Sequence, residues 1–228
     1  MIVSSLLSVL AIAPLSVSSS ILPPPQHVFS NPSTSPPTTL RIPSIHESAV
    51  QARRIFSLTP LGTLSTVFPP HASADEDAGL SHTPSSLGGA PIGLMDYTAD
   101  CSSASKAPSS DAGEQSTQDG DPVILAISIA TSFKNVEAGS NISLSLRWHP
   151  PSNYKYAYSA ASLPRFSLMG YLAKIPDEEV LRENIAQCFV GYHADAAAWL
   201  PGNPIHRSEW VRLVVQEVYW IGGFGDRA

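Results

Sequence analysis

The stretch DPVILAISIATSFKNVEAGSNISLSLRW, residues 121–148, carries most of the architectural information in this chain. An apolar run from Val123 to Ile129 passes through Thr131, Ser132, Phe133, Lys134 and Asn135 into Ile142-Ser143-Leu144-Ser145-Leu146-Arg147-Trp148, where apolar and polar residues alternate. Alternation with a period of two marks a half-buried strand, and a short apolar run bounded by turn residues fits a strand buried more completely. The segment therefore predicts two strands around a small basic, hydroxyl-rich crossing. Hydroxyls, an ammonium group and turn amides gathered at strand ends can hold a phosphate. The same residues also make a solvated turn that tolerates any polar side chain, and from physics alone both readings stand.

On either side the patterns extend this picture. Ser44-x-x-Glu47 has the spacing of a capping box, and Val50, Ile55 and Leu58 supply part of an apolar helical face that Pro60 and Gly62 close. Residues 62–68 alternate small polar and β-branched or apolar side chains, which favours a strand that Pro69-Pro70 stops. Residues 89–97 read as a further strand whose glycines admit a close neighbour. Strands are also expected over 165–174 and 210–221. Between them, Pro176 and Asp177 open a helix with Leu181, Ile185, Cys188 and Tyr192 on one face. Cys188 there is most simply a small core residue. This order of elements implies a mainly β, α+β domain in which an antiparallel sheet closes into a barrel with helices at its ends.

The rest of the chain is of a different composition. Residues 2–17 are uncharged and largely apolar and are followed by three serines and three prolines, so residues 1–20 read as a secretory signal peptide. Residues 21–43, rich in Pro, Ser and Thr, read as a disordered linker, and 44–228 as one domain with flexible insertions at 71–88 and 100–121. Residues 71–121 hold nine acidic side chains against Lys106 alone, a net charge of −8. The remainder, with ten acidic and twelve basic residues, is close to neutral at +2. No basic stripe is left for a phosphate backbone, which argues against nucleic acid, and after leader cleavage no membrane contact is expected. The two cysteines, Cys101 and Cys188, could pair in an oxidising compartment, but nothing in the sequence demands it. Asn141-Ile142-Ser143 is a valid N-glycosylation acceptor, whereas Asn31-Pro32-Ser33 is blocked by its proline.

No catalytic constellation is present: there is no nucleophile elbow, Walker loop or paired Cys-x-x-Cys, and the seven histidines show no metal-ligand spacing. No catalytic residue and no metal ligand is therefore assigned. Asp177, Glu178 and Glu179 lie in the first turn of a helix, where acids serve as dipole partners.

The order of motifs resembles a known superfamily. It runs from Ala52-Arg53-Arg54 and Leu61-Gly62-Thr63-Leu64-Ser65-Thr66, through Gly89-x-Pro91-x-Gly93, to Ser128-Ile129-Ala130-Thr131-Ser132-Phe133-Lys134-Asn135 with Ser143-Leu144-Ser145-Leu146. This is similar to the flavin-mononucleotide-binding split barrels, in the pyridoxamine-phosphate-oxidase-like branch and nearest its CREG-like secreted glycoproteins. His193-x-Asp195-Ala196 before Trp199, and the closing Gly222-Gly223-Phe224-Gly225, look like that branch too, including its haem-utilisation members. The resemblance implies a six-stranded antiparallel split β-barrel with flanking helices, acting as a homodimer. By match it places the flavin phosphate on Ser132, Lys134 and Asn135, with the Thr131 hydroxyl beside them. It also implies that flavin mononucleotide (FMN) can be lost, since CREG-like members fill the pocket with their own loops. Two departures count against flavin here: no arginine stands between Ile92 and Tyr97, and acidic insertions flank that strand. Relatives also carry a little more strand than the chain's end at Ala228 allows. Two functions follow as expectations, a secreted or vacuolar binding or regulatory glycoprotein and an FMN-dependent oxidoreductase.

Overall fold

The computed structural model describes residues 43–70, 84–101, 120–150 and 160–223. These lie within one compact unit, Pro43–Ala228. The expected signal peptide, most of the linker and the centres of both insertions lie outside the described residues, as do Phe224 and Gly225.

Helix α1 (Ile45–Leu58) begins as its sequence requires. The Ser44 hydroxyl accepts from the Glu47 amide at 3.2 Å, and the Glu47 carboxylate accepts from the Ser44 amide at 2.8 Å. Its buried residues are Ile55 and Phe56, while Val50 and Leu58, expected on the apolar face, are exposed. Only the last part of the helix rests on the barrel, so the inward side is chosen by that turn and not by the average pattern.

Six strands form one antiparallel sheet in the order β2-β1-β4-β5-β6-β3. They are β1 (Leu61–Val67), β2 (Pro91–Tyr97), β3 (Val123–Ile127), β4 (Ile142–Arg147), β5 (Arg165–Lys174) and β6 (Ser208–Ile221). The sheet curls until its two edges meet at one point, where Ala99 and Val123 exchange both backbone hydrogen bonds at 3.0 Å. The expected half-open, mainly β barrel with flanking helices is the observed fold.

Strand β3 explains its own sequence. Ile124 and Ala126 face the barrel interior with Leu64, Leu144, Phe166 and Leu213, whereas Val123 and Leu125 face a second core with Ile185, Phe189 and Trp210. A strand buried on both faces has no use for polar alternation. In β1 and β4 one face is buried and the other is not, and their sequences alternate accordingly.

The second core is covered by α3 (Asp177–Arg182) and α4 (Ile185–Tyr192), where the sequence predicts a single helix. The break is at Asn184, whose φ of 51° is left-handed, a conformation asparagine tolerates better than most residues. The resulting change of phase leaves Leu181 exposed while Ile185 and Phe189 are buried. Between β5 and β6 the register shifts at Met169/Gly170. A Cβ on Gly170 would collide with the Val214 carbonyl, and the adjacent Val215 amide donates to the Asp121 carboxylate at 3.1 Å.

Cys101 and Cys188 form a disulfide, which answers the question their sequence left open and replaces the reading of Cys188 as a plain core residue. Cys101 is fully buried in the second core, although its neighbours in sequence read as an insertion. The bond closes a loop over a sequence separation of 87 and so limits the unfolded chain. Replacing both cysteines by alanine is expected to lower stability by about 4.6 kcal/mol, from loop-closure entropy. Denaturant unfolding of the two proteins checks this, and equal midpoints would refute it.

Candidate functional site

The crossing between β3 and β4 is not a turn but a short helix, α2 (Thr131–Glu137), which packs against β1. Its helical twist sorts the four residues predicted to hold a phosphate. Ser132 and Asn135 are buried, at 2% and 0% exposure, whereas Thr131 and Lys134 are half-buried. Two positions apart on a helix is about 160° around its axis, so Ser132 and Lys134 leave the helix on nearly opposite sides. In this helix their side chains start out in different directions.

Asn135 is committed elsewhere. Its amide nitrogen donates to the Thr66 hydroxyl on β1 at 3.0 Å. Among the described residues its Oδ1 is buried without a hydrogen-bond partner. On β2, where flavin-binding relatives are expected to carry an arginine, this chain carries Asp96. Burial pushes the Asp96 carboxyl above its ordinary 3.8, partly offset by the Tyr97 amide, which donates to it at 2.8 Å. As the fold places them, Ser132 and Asn135 are buried on one face of α2 and do not converge with Lys134.

The remaining motifs prove to be fastenings. His193 is buried with its Nε2 3.1 Å from the Thr98 carbonyl, its ring stacked on Tyr97 at 4.2 Å and 4°. The Tyr97 hydroxyl donates to Asp195 at 2.6 Å, which holds the phenol above its usual pKa. Arg53 pairs with Asp100 at 2.6 Å and lies over the Phe56 ring, 5.5 Å from its centre. Together these contacts hold residues 97–101 between α1 and α4. Of the three acids at the start of α3, Glu179 pairs with the buried Arg212, a partner no sequence pattern announces. Asn141 is exposed at the start of β4, ahead of Ser143. Among the described residues no group of three or more His, Cys, Asp or Glu is placed to hold a metal, and no helix is long and apolar enough to cross a membrane.

Curled antiparallel sheet, edge-to-edge clasp and flanking helices define a split barrel. The chain matches the CREG β-barrel family model over residues 43–228, and it belongs to that family. No curated protein matches it. Among solved structures it is similar to a protein of unknown function from Agrobacterium tumefaciens, at 19% identity and a TM-score of 0.50, covering 84% of this chain and 62% of that one. A heme binding protein from Mycobacterium smegmatis gives 19% identity and a TM-score of 0.49 over 81% of this chain and 56% of that one. HutZ, the heme storage protein from Vibrio cholerae, gives 13% and 0.47 over 77% and 95%. The chain thus spans less than two thirds of the first two. At such identities the likeness concerns the fold alone.

Asp96 yields a pH-dependent prediction. A carboxyl whose folded pKa is raised favours the folded state when protonated, so its full contribution is present below about 3.8 and is lost as pH rises through the folded value. Asp96→Asn keeps an acceptor for the Tyr97 amide without the buried charge. The variant should be more stable than the parent at pH 7, with the gain vanishing below pH 3.8. Denaturant midpoints measured across pH check it, and a gain independent of pH would count against it.

Proposed function

We propose that this protein is a binding or regulatory split barrel that performs no flavin chemistry. The observation that carries the reading is the fate of Ser132 and Asn135. Both are buried with α2 against the sheet, and Asn135 donates an amide hydrogen to Thr66. What flavin-binding relatives are expected to present to a phosphate, this chain uses to seat a helix against β1.

The setting we propose is secreted or vacuolar, with the mature protein glycosylated at Asn141. Supporting it are the disulfide, which persists in oxidising compartments, the apolar leader in the sequence, and an exposed acceptor asparagine. We further propose a homodimer formed through the outer face of the sheet. On that face cross-strand register aligns Met95, Thr63, Ser145, Ser167 and Tyr219 in one row, with Met169 in the next. Met95 and Tyr219 are more than half exposed, at 63% and 53%. Small hydroxyl side chains between large exposed apolar ones make a flat surface suited to a second copy.

The visible absorption spectrum of protein purified from its native host, followed by titration with FMN, tests the function. A colourless protein that takes up no flavin is expected. A stoichiometric flavin band that disappears in Lys134→Ala would overturn the reading in favour of an FMN-dependent oxidoreductase. For the assembly, light scattering should give twice the chain mass, and Met95→Lys combined with Met169→Lys should give a monomer. A parent protein that is monomeric at every concentration would refute the dimer.

A further inference from the structure

One feature of the outer face serves neither the barrel nor the α2 crossing. Arg147, the last residue of β4, stands directly opposite Arg165, the first residue of β5. Both are on the side of the sheet away from Leu146 and Phe166, which are buried. Like charges in direct cross-strand register destabilise a sheet unless something of opposite sign joins them. Among the described residues no carboxylate pairs with either arginine: the ion pairs involve Arg53, Lys174, Arg182 and Arg212. The 17 residues linking the two arginines in sequence contain no Asp or Glu.

The guanidiniums are held, not neutralised. Arg165 donates one terminal nitrogen to the carbonyls of Ala161 and Leu163, at 3.0 and 3.5 Å. Arg147 donates its Nε to His149 Nε2 at 3.2 Å, and among the described residues its two terminal nitrogens have no hydrogen-bond partner. Two residues back along the strands, the Ser145 and Ser167 hydroxyls meet at 2.6 Å on the same face, with Tyr219 beside Ser167. The site therefore offers two positioned guanidiniums with N–H groups to spare, a hydroxyl pair with one free hydrogen and an exposed phenol, and among the described residues no acceptor of full negative charge.

We propose that Arg147 and Arg165 form a binding site for a tetrahedral oxyanion, a phosphate or sulfate ester, with the one hydroxyl hydrogen that the Ser145–Ser167 pair leaves free donating to it and Tyr219 packing against the group that carries it. Planar guanidiniums match such anions with paired hydrogen bonds and a compact ammonium does not, which gives the choice of arginine at both positions a reason. The site does not depend on the α2 crossing, but it shares Ser145, Ser167 and Tyr219 with the face proposed above for a second copy, so an anion and a second copy compete for those side chains. It lies at the far end of β4 from α2, about 20 Å away at ~3.3 Å per strand residue.

Calorimetric titration of the full chain with inorganic phosphate, inorganic sulfate, a phosphate monoester and a sulfated disaccharide, at fixed ionic strength made up with chloride, tests the proposal. Binding of at least one of these is expected, weakened roughly tenfold or more in Arg147→Gln and in Arg165→Gln and unchanged in Arg54→Gln. The two esters, set against the inorganic ions, show whether the carrier adds affinity and which anion is preferred. Circular dichroism and the melting midpoint confirm that the variants fold. A parent that binds none of these probes beyond chloride would overturn the proposal, as would variants that bind as the parent does. So would arginine variants whose only change is from dimer to monomer, since the pair would then serve contact between copies.

Discussion

Strand β3 is buried on both faces, and the rest of the molecule is arranged to make that burial hold. Its inner side chains complete the barrel core and its outer ones complete the core beneath α3 and α4. Because one strand belongs to both cores, neither can loosen alone. The edge strand that carries this load is also where the sheet meets itself, through the bridge from Val123 to Ala99. A few apolar residues thus couple the closure of the barrel to the docking of the helices.

The sequence made much of this legible for simple physical reasons. Strands with one solvated face announced themselves by alternation, and the start of α1 by its capping box, because these signals are local. What could not be read depended on partners distant in sequence. α2 looked like a turn because its length is too short for an apolar period to show, and its inner face uses a serine and an asparagine. The break at Asn184 is one backbone conformation inside an otherwise helical pattern. The disulfide joins residues 87 apart, and only the fold brings them together. Arg147 and Arg165 drew no notice singly, since their significance is a matter of register.

The same distinction separates fold from chemistry in the candidate site. A motif of hydroxyl, base and amide is compatible with a phosphate cradle as a list of residue types. Whether it forms one depends on side-chain direction, and α2 buries Ser132 and Asn135, with Asn135 bonded to Thr66 on β1. The other family motifs behave alike: His193, Asp195 and Arg53 are spent on holding residues 97–101. Membership in the CREG β-barrel family is carried here by residues that build the scaffold, and this is why the family match says more about architecture than about reaction.

The covalent link from Cys101 to Cys188 also has a mechanical meaning. It encloses β3, α2, β4, β5 and α3 within one ring and leaves α1, β1, β2 and β6 on the strand of chain that runs from end to end. A force applied to the two termini would be transmitted across the sulfur bridge and would bypass the enclosed segment. At about 3.5 Å per extended residue, roughly 300 Å of contour length is withheld from extension. Pulled apart, the molecule would surrender β1, β2 and β6 and keep the hairpin of β4 and β5 inside an unbroken loop.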